Sequence, residues 1–336
     1  MDLEPIEPQA AVELYLADRE REVASSTLRS HRSRLQFFVK WCEEEGITNL
    51  NELTGRDLNE YRIWRRNDGD LAPASENCQM DTLRVFLRWL ESIEGVPKDF
   101  HENVWSPAID RTDEARDVML DPEDAEEVLS YLETYYYASL DHVLLSLLWQ
   151  TMMRRGAAHG LDVRDYHRED QCLEILHRPE TDTPIKNGQR GERLIALTGW
   201  QCSLLDDWLQ DRRPDVADEH GRRPLLATAQ GRIATSTIGK KCYQWTRPCV
   251  YSNDCPHDRD PDDCEAMDTG HASKCPSSVS SHPFRRGSIT HHLNEEIPET
   301  AVGDRANVSQ DVLERHYDQR TKREKMEQRR QYLDRL

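Results

Sequence analysis

The chain has 336 residues, enough for two domains that each bury a core. Hydrophobic residues make up 37% and charged residues 32%. No run of about 18 apolar residues occurs, so no membrane span is expected. The acidic start, Met1-Asp2-Leu3-Glu4-Pro5, has no apolar stretch after it, so no secretory leader is expected and a cytoplasmic location is. A formal net charge of −19 disfavours nucleic acid when taken alone. Yet only eight of the 44 basic residues are lysine, an acid-rich, lysine-poor balance like that of proteins from salt-accumulating halophiles. In molar salt the Debye length falls to about 3 Å, so self-repulsion weakens while close arginine–phosphate contacts survive.

Residues 7 to 95 read as helices. Ser25-Ser26-Thr27 caps a helix carrying Leu28, Leu35, Phe38, Val39 and Cys42 on one side, stopped by Gly46. Thr54 caps a second, with Leu58, Tyr61 and Trp64 inward. Ala74-Ser75 opens a third, with Met80, Leu83, Phe86, Leu87 and Leu90 at helical spacing, ending near Gly95-Val96-Pro97. Arginines fall on the opposite faces, at 29, 32, 34, 62, 65, 66, 84 and 88; they read as a solvated face or as a helical DNA clamp.

The boundaries expected are a helical domain over 1–97, a Pro-containing charged linker over 98–117, and a second domain over 118–336. Asp121-Pro122-Glu123 opens a helix toward Tyr131, and the apolar run His142 to Met153 is a buried helix. Leu173–Leu176 and Arg193–Leu197 read as two strands joined by a long polar tip, Thr181 to Glu192. Helical patterns resume at Trp200–Leu209 and Ser236–Thr246. The fold class expected is mainly α with a small β-sheet.

Four separated pieces carry chemistry-bearing residues. They are Thr151-Met152-Met153-Arg154-Arg155-Gly156, then Pro184-Ile185-Lys186-Asn187-Gly188, then His282-Pro283-Phe284-Arg285-Arg286, and finally Glu314-Arg315-His316-Tyr317-Asp318. Each alone is ordinary; an arginine after an apolar helix usually snorkels, and a lone tyrosine usually packs. Their joint order and spacing resemble the tyrosine recombinase (phage integrase) family. That family carries an arginine after a Thr-Gly-Met/Leu element, a hairpin lysine, His-x-x-Arg, a His or Trp, and a C-terminal tyrosine. The resemblance covers residues 118 to 336, and the N-terminal half resembles the family's SAM-like core-binding domain. The scarce lysine and the tail Arg320 to Arg330 are similar to haloarchaeal members, a haloarchaeal-type integrase.

The resemblance implies an α-rich catalytic domain that cleaves and reseals double-stranded DNA through a 3′-phosphotyrosyl link, as a site-specific recombinase or integrase. Arg154 and Arg285 would hold the transition-state phosphate bidentately, with Arg155 as the neighbouring competitor to Arg154. His282 would take the proton of Tyr317, whose phenol ordinarily titrates near 10. Lys186 would protonate the leaving 5′ oxygen. No ATP and no catalytic metal is expected, and nothing resembles a Walker A loop. A tetramer on DNA is implied. Two positions depart from the family: Ala157 stands where an acidic residue follows the first arginine, and the His/Trp slot falls on Asp304, Asn307 or Val308 by different alignments. His316 is a possible stand-in. Competing readings are a type IB topoisomerase-like resealing activity and a degenerate DNA-binding protein on the same scaffold.

Five of the nine cysteines, Cys242, Cys249, Cys255, Cys264 and Cys275, crowd into one stretch. The polar insertion 249–276 lacks apolar staples, so a structural zinc on Cys249, Cys255, Cys264 and Cys275 is expected, with His257 or His271 able to replace one ligand. A zinc-dependent function rests only on this cluster.

Overall fold

In a computed structural model the chain is described over residues 3–107, 118–268 and 270–317, together with Arg323, Met326, Glu327 and Arg330. Most of the basic tail therefore lies outside the described residues, as do 108–117 of the expected linker and the side chain of His316. Two compact units emerge, Met1–Arg116 and Asp117–Leu336. No helix among the described residues is long and apolar enough to cross a membrane.

The first unit is all helical: α1 (Pro8–Arg19), α2 (Ser25–Glu44), α3 (Gly55–Asp68) and α4 (Pro73–Ser92). The apolar stripes seen in the sequence meet in one core, where Phe38 packs edge-on against Tyr61 and Tyr15 edge-on against Phe86. Thr54 and Asp57 form a reciprocal capping box at the start of α3. The serines at 25 and 26 do not cap α2: its N-cap is Ala24, without a side-chain bond. A 3-10 turn at Phe100–Asn103 adds Phe100 and Val104 to this core, so the stretch read as linker begins as part of the unit. Two isolated apolar residues leave no periodic signal to reveal that.

The arginine stripe divides. Arg29, Arg32, Arg66 and Arg88 are exposed. Arg65 is buried with its guanidinium 3.7 Å from the Phe37 ring, and Arg62 pairs with the buried Glu76 at 2.5 Å and stacks on Trp105. Two of the eight arginines are thus engaged in packing within the unit, and Arg34 and Arg84 are half-buried.

The second unit is mainly helical with two small sheets. In order it contains α5 (Pro122–Tyr135), α6 (Leu140–Thr151), α7 (Arg155–Gly160), β1 (Tyr166–His167), β2 (Cys172–Ile175), β3 (Arg193–Ala196), α8 (Gly199–Asp207), β4 (Ala227–Thr228), β5 (Gly231–Arg232), α9 (Thr235–Trp245), α10 (Pro248–Tyr251), α11 (Ser281–Asn294), α12 (Glu299–Ala306) and α13 (Gln310–His316). β1, β2 and β3 form an antiparallel meander, with Leu173 opposite Ile195. The apolar α6 lies at the centre of the main core, as its run of Leu144, Leu145, Leu147 and Leu148 requires. α11 approaches the chain before α5 so closely that a Cβ on Gly287 would sit 2.0 Å from the Leu120 carbonyl oxygen. A smaller core of Met152, Ile289, Leu293, Val302, Ala306, Leu313 and Tyr317 joins the last helices.

The β2–β3 connection is tied down by a buried ionic network. Arg178 donates to Asp165 (2.5 Å) and Asp162 (3.1 Å), Arg232 to Asp162 and Asp218 (2.8 Å), and Arg222 pairs with Asp218 at 2.9 Å. Arg222 also donates to the Thr183 hydroxyl (2.9 Å) and the Thr181 carbonyl (2.7 Å), fixing the base of the tip. Breaking a buried pair from one side costs about 3–5 kcal/mol, because the remaining charge stays buried. Burial alone would raise the Asp218 carboxyl, but the bond from Arg232, the Arg222 backbone N–H and both guanidinium charges outweigh it and hold it down to about 2. Its stabilising contribution is complete above the unfolded carboxyl value and fades as pH falls toward the folded one. Asp218→Asn should therefore lower stability at pH 7, and the gap to the native chain should close as pH drops below about 4. Denaturant unfolding of both proteins across that range measures it; a gap independent of pH would remove Asp218 as the charged partner.

Candidate active site

α6 ends at Met152, which adopts a left-handed conformation with φ 53°. The Thr151 hydroxyl donates to the Leu147 carbonyl at 2.6 Å and accepts from the Met153 N–H at 3.4 Å. This tight exit places Arg154 as the N-cap residue of α7. α12 ends in the same way, at Asn307 with φ 53°. Its last carbonyls, unpaired within the helix, face two arginines. Arg285 donates to the Ala306 carbonyl at 2.7 Å and also to the Met152 carbonyl, and Arg154 donates to the Asn307 carbonyl at 2.9 Å.

Arg285 is 2% exposed, and its Nε finds no partner among the described residues. No carboxylate among the described residues pairs with Arg154, Arg285 or Arg193. Burial, then the charge of Arg154, pushes the Arg285 guanidinium below its ordinary range. Burial pushes Arg154 in the same direction, and Arg193 is lowered to about 10 by burial, Arg154 and Arg305. An unneutralised cluster of guanidiniums is built to receive an anion.

Tyr317 closes α13 and is 7% exposed, packed into the small core with Met152, Ile289 and Leu313. Its charge, when ionised, would be felt by both Arg285 and Arg154, so the phenol shares their electrostatic surroundings. His282 stands in the first turn of α11 and is exposed. Partial desolvation, followed by the charges of Arg285, Arg154, Arg286 and Arg155, holds its imidazole below the ordinary value, so it is neutral and able to accept a proton at pH 7. Lys186 is exposed in the turn before Gly188 and lines a cleft of about 210 Å³ with Arg154, Arg155, Arg193 and Asn307.

Arg154, Arg285, His282 and Tyr317 thus share one electrostatic neighbourhood, with Lys186 on the rim of the same cleft. Arg155 is exposed, whereas Arg154 is the one held by the α12 terminus. The cysteine insertion contributes nothing to the cleft lining. Of the three candidates for the His/Trp slot, Asp304 is exposed and Val308 packs against the small core, while Asn307 lines the cleft. Ala157 is buried on the cleft wall.

Two residues of this site escape sequence reasoning. Arg193 donates to the Arg305 carbonyl (2.9 Å) and the Gly191 carbonyl (2.8 Å), bridging β3 to α12. Arg305 in turn donates to Gln150 and Ala196 carbonyls. Neither sits in a recognisable spacing; Arg193 lies among the charges of Arg154 and Arg305 through the contact of β3 with α12. Gly191 is a sequence signal that could have been read: a Cβ there would lie 2.5 Å from the Lys186 carbonyl and 2.8 Å from Asn307 Nδ2.

A model of the phage integrase N-terminal SAM-like domain matches residues 13–93, within the first unit. The tyrosine recombinase XerD of Mycobacterium tuberculosis is 28% identical over 227 residues, covering 63% of this chain and 68% of that protein. The chain is similar to tyrosine recombinases over 63% of its length, and its first unit matches the SAM-like domain of phage integrases. Over most of its length it also shares the fold of the Tn1549 transposon integrase solved with a circular intermediate DNA, at TM-score 0.62 and 14% identity, covering 97% of this chain and 99% of that one. The N-terminal domain of a phage integrase/site-specific recombinase from Haloarcula marismortui is 40% identical, covering 31% of this chain and 99% of that one, at TM-score 0.30. The first unit contains the match to the SAM-like domain, and the second carries the arginines and Tyr317.

Asn307 does two things that substitutions separate. Its backbone takes the left-handed turn, which costs a residue with a Cβ about 1–2 kcal/mol and glycine little. Its side chain meets the Lys186 turn, through the Lys186 carbonyl (3.4 Å) and Asn187 (3.3 Å). Asn307→Gly should keep the melting temperature but speed amide exchange over 186–191; Asn307→Ala should do both kinds of damage. Unchanged exchange in both variants would show that the side-chain contacts do not hold the turn.

Proposed function

We propose that this chain is a site-specific DNA recombinase that cleaves and rejoins double-stranded DNA through a 3′-phosphotyrosyl link on Tyr317. The observation that carries the reading is the cluster of guanidiniums held by backbone carbonyls, with Tyr317 packed beside Met152, whose carbonyl accepts from Arg285. The Tyr317 oxygen attacks a backbone phosphorus while His282 takes the phenolic proton. The bond from phosphorus to the 5′ oxygen breaks, and Lys186 supplies the proton that the leaving oxygen needs. Charge growing on the nonbridging oxygens falls to Arg154 and Arg285, with the orphan Nε of Arg285 as one further donor. The phosphotyrosyl ester keeps the energy of the broken bond, so the 5′ hydroxyl of a second strand reseals it without a nucleotide cofactor.

Relatives support the choice of substrate: XerD is a tyrosine recombinase, and the Tn1549 integrase was solved in complex with a circular intermediate DNA. Exchange between two duplexes needs several cleaving chains together, so self-association on DNA belongs to the proposal. The acid-rich, lysine-poor composition supports a high-salt setting, in which the net charge of −19 does not repel DNA over distance.

Nicked suicide duplexes in high KCl, resolved on a denaturing gel, test the nucleophile. The native chain should form a covalent protein–DNA adduct, and Tyr317→Phe should bind DNA without forming one. An adduct that persists in the variant places the nucleophile elsewhere. No adduct from the native chain, with binding intact, would leave a DNA-binding protein that has lost cleavage.

Lys186 is tested by making its proton unnecessary. A 5′-bridging phosphorothioate departs as a thiolate, which needs no acid. Lys186→Ala should cleave normal DNA about 100-fold or more slowly, the scale of one general acid, and recover most of that loss on the sulfur substrate. A defect equal on both substrates would assign Lys186 to binding.

A further inference from the structure

The insertion between α10 and α11 takes no part in the site described above, yet it has its own internal order. It folds through short 3-10 turns at Pro261–Asp263, Glu265–Met267 and Ala272–Lys274, and most of its residues face solvent. Its cysteines are the exception. Cys275 is buried, and Cys249, Cys255 and Cys264 are half-buried, as is His257. His271 is exposed beside Asp268. From 249 to 276 the only other fully buried residue among those described is Ala266. A segment with so little apolar surface turned inward has almost no hydrophobic staple.

Contacts draw the four cysteine-bearing stretches together. Cys249 Sγ lies 3.8 Å from Met267 Sδ, three residues beyond Cys264. Arg247 donates to the Ala266 carbonyl at 2.5 Å and to Met267 Sδ at 3.3 Å. On the other side His257 Nε2 and the Ser277 hydroxyl are 2.9 Å apart, bringing the Cys255 stretch to the Cys275 stretch. All four cysteines are free thiols.

We propose that Cys249, Cys255, Cys264 and Cys275 form a closed, tetrathiolate structural zinc site that staples the insertion. In this structure the donors do not stand at ligand spacing. Among the described residues, three or more such donors lie within 4.8 Å of one another only at the exposed Asp182, Glu219 and His220, where nothing buried points to an ion. Binding therefore requires the four side chains to rotate inward and the turns to contract, with loss of the thiol protons to the solvent. Metal uptake then tightens the turns already present. Its exit strand is already pinned, through the Val279 N–H to the Thr246 hydroxyl (2.8 Å) and the Ser278 hydroxyl to the Cys275 carbonyl (2.9 Å), just before α11 begins.

The test reads metal, not DNA cleavage, so its failure is distinct from failure of the recombinase reading. Full-length protein purified without chelator or metal-affinity resin should carry about one zinc per chain by elemental analysis. A mercurial thiol reagent should release it, and cobalt in its place should show the intense sulfur-to-metal bands of a tetrahedral all-thiolate site. Cys264→Ser should lose most of the metal, whereas Cys78→Ser, an exposed cysteine of the first unit, should keep it. Zinc near zero with no cobalt uptake in folded native protein would overturn the site. So would native-state mass analysis showing these cysteines paired as disulfides, or a cobalt spectrum with fewer than three sulfur ligands.

Discussion

One buried and one half-buried guanidinium, Arg285 and Arg154, held by carbonyl oxygens and by no carboxylate among the described residues, are the constraint around which the second unit is arranged. A fully buried arginine must have its N–H groups satisfied, and carboxylates are the strongest partners available. Arg285 and Arg154 take carbonyls of Met152, Ala306 and Asn307 instead. These oxygens belong to the C-terminal ends of α6 and α12, where the helix dipole offers roughly half a negative charge. That is enough to orient the cations and too little to neutralise them. The result is a positive site inside a strongly acidic protein, with mutual repulsion that an incoming phosphate would relieve.

The same chain shows what arginine does when it is meant to stay structural. Arg178, Arg222 and Arg232 are saturated by Asp162, Asp165 and Asp218, and Arg62 by Glu76. The saturated network sits at the base of the β2–β3 tip, and the unsaturated cluster sits beyond it. Lys186 lies on the turn between them, so its place depends on both: aspartates fix the stem, and Asn307 with Gly191 fixes how close the turn comes to Arg154. An aspartate swapped from the first group into the second would satisfy a local hydrogen bond and remove the charge the site needs.

Much of the scaffold could be read before any coordinates. The stripes Leu35–Phe38–Cys42 and Met80–Leu83–Phe86–Leu87–Leu90 are periodic enough to define helices and their buried faces, and the run through Leu144–Leu148 is too apolar to be anything but a core helix. What stayed hidden depends on partners distant in sequence. Arg65 looks like its exposed neighbours until Phe37 stacks beneath it. Arg193 and Arg305 carry no motif, because their position is set by contacts spanning 112 and 155 residues. The His/Trp slot was open among three residues because α12 has a weak pattern, and only the left-handed turn at Asn307 decides which of them faces the cleft.

The departures from the family pattern follow from the same electrostatics. An acidic residue three places after Arg154 would share the burden of orienting the active-site cations; Ala157 leaves that work to backbone oxygens. Backbone dipoles act only at contact distance, and so do the guanidinium–phosphate bonds they prepare. In concentrated salt, where charges more than about 3 Å apart are screened, contact-range interactions are the ones that persist. A site that relies on carbonyl-held arginines loses little as ionic strength rises, whereas one that relied on a basic surface to gather DNA over distance would lose most of its attraction. The acidic exterior and the neutral scaffolding of the cations are in this sense compatible, since neither asks long-range electrostatics to do anything.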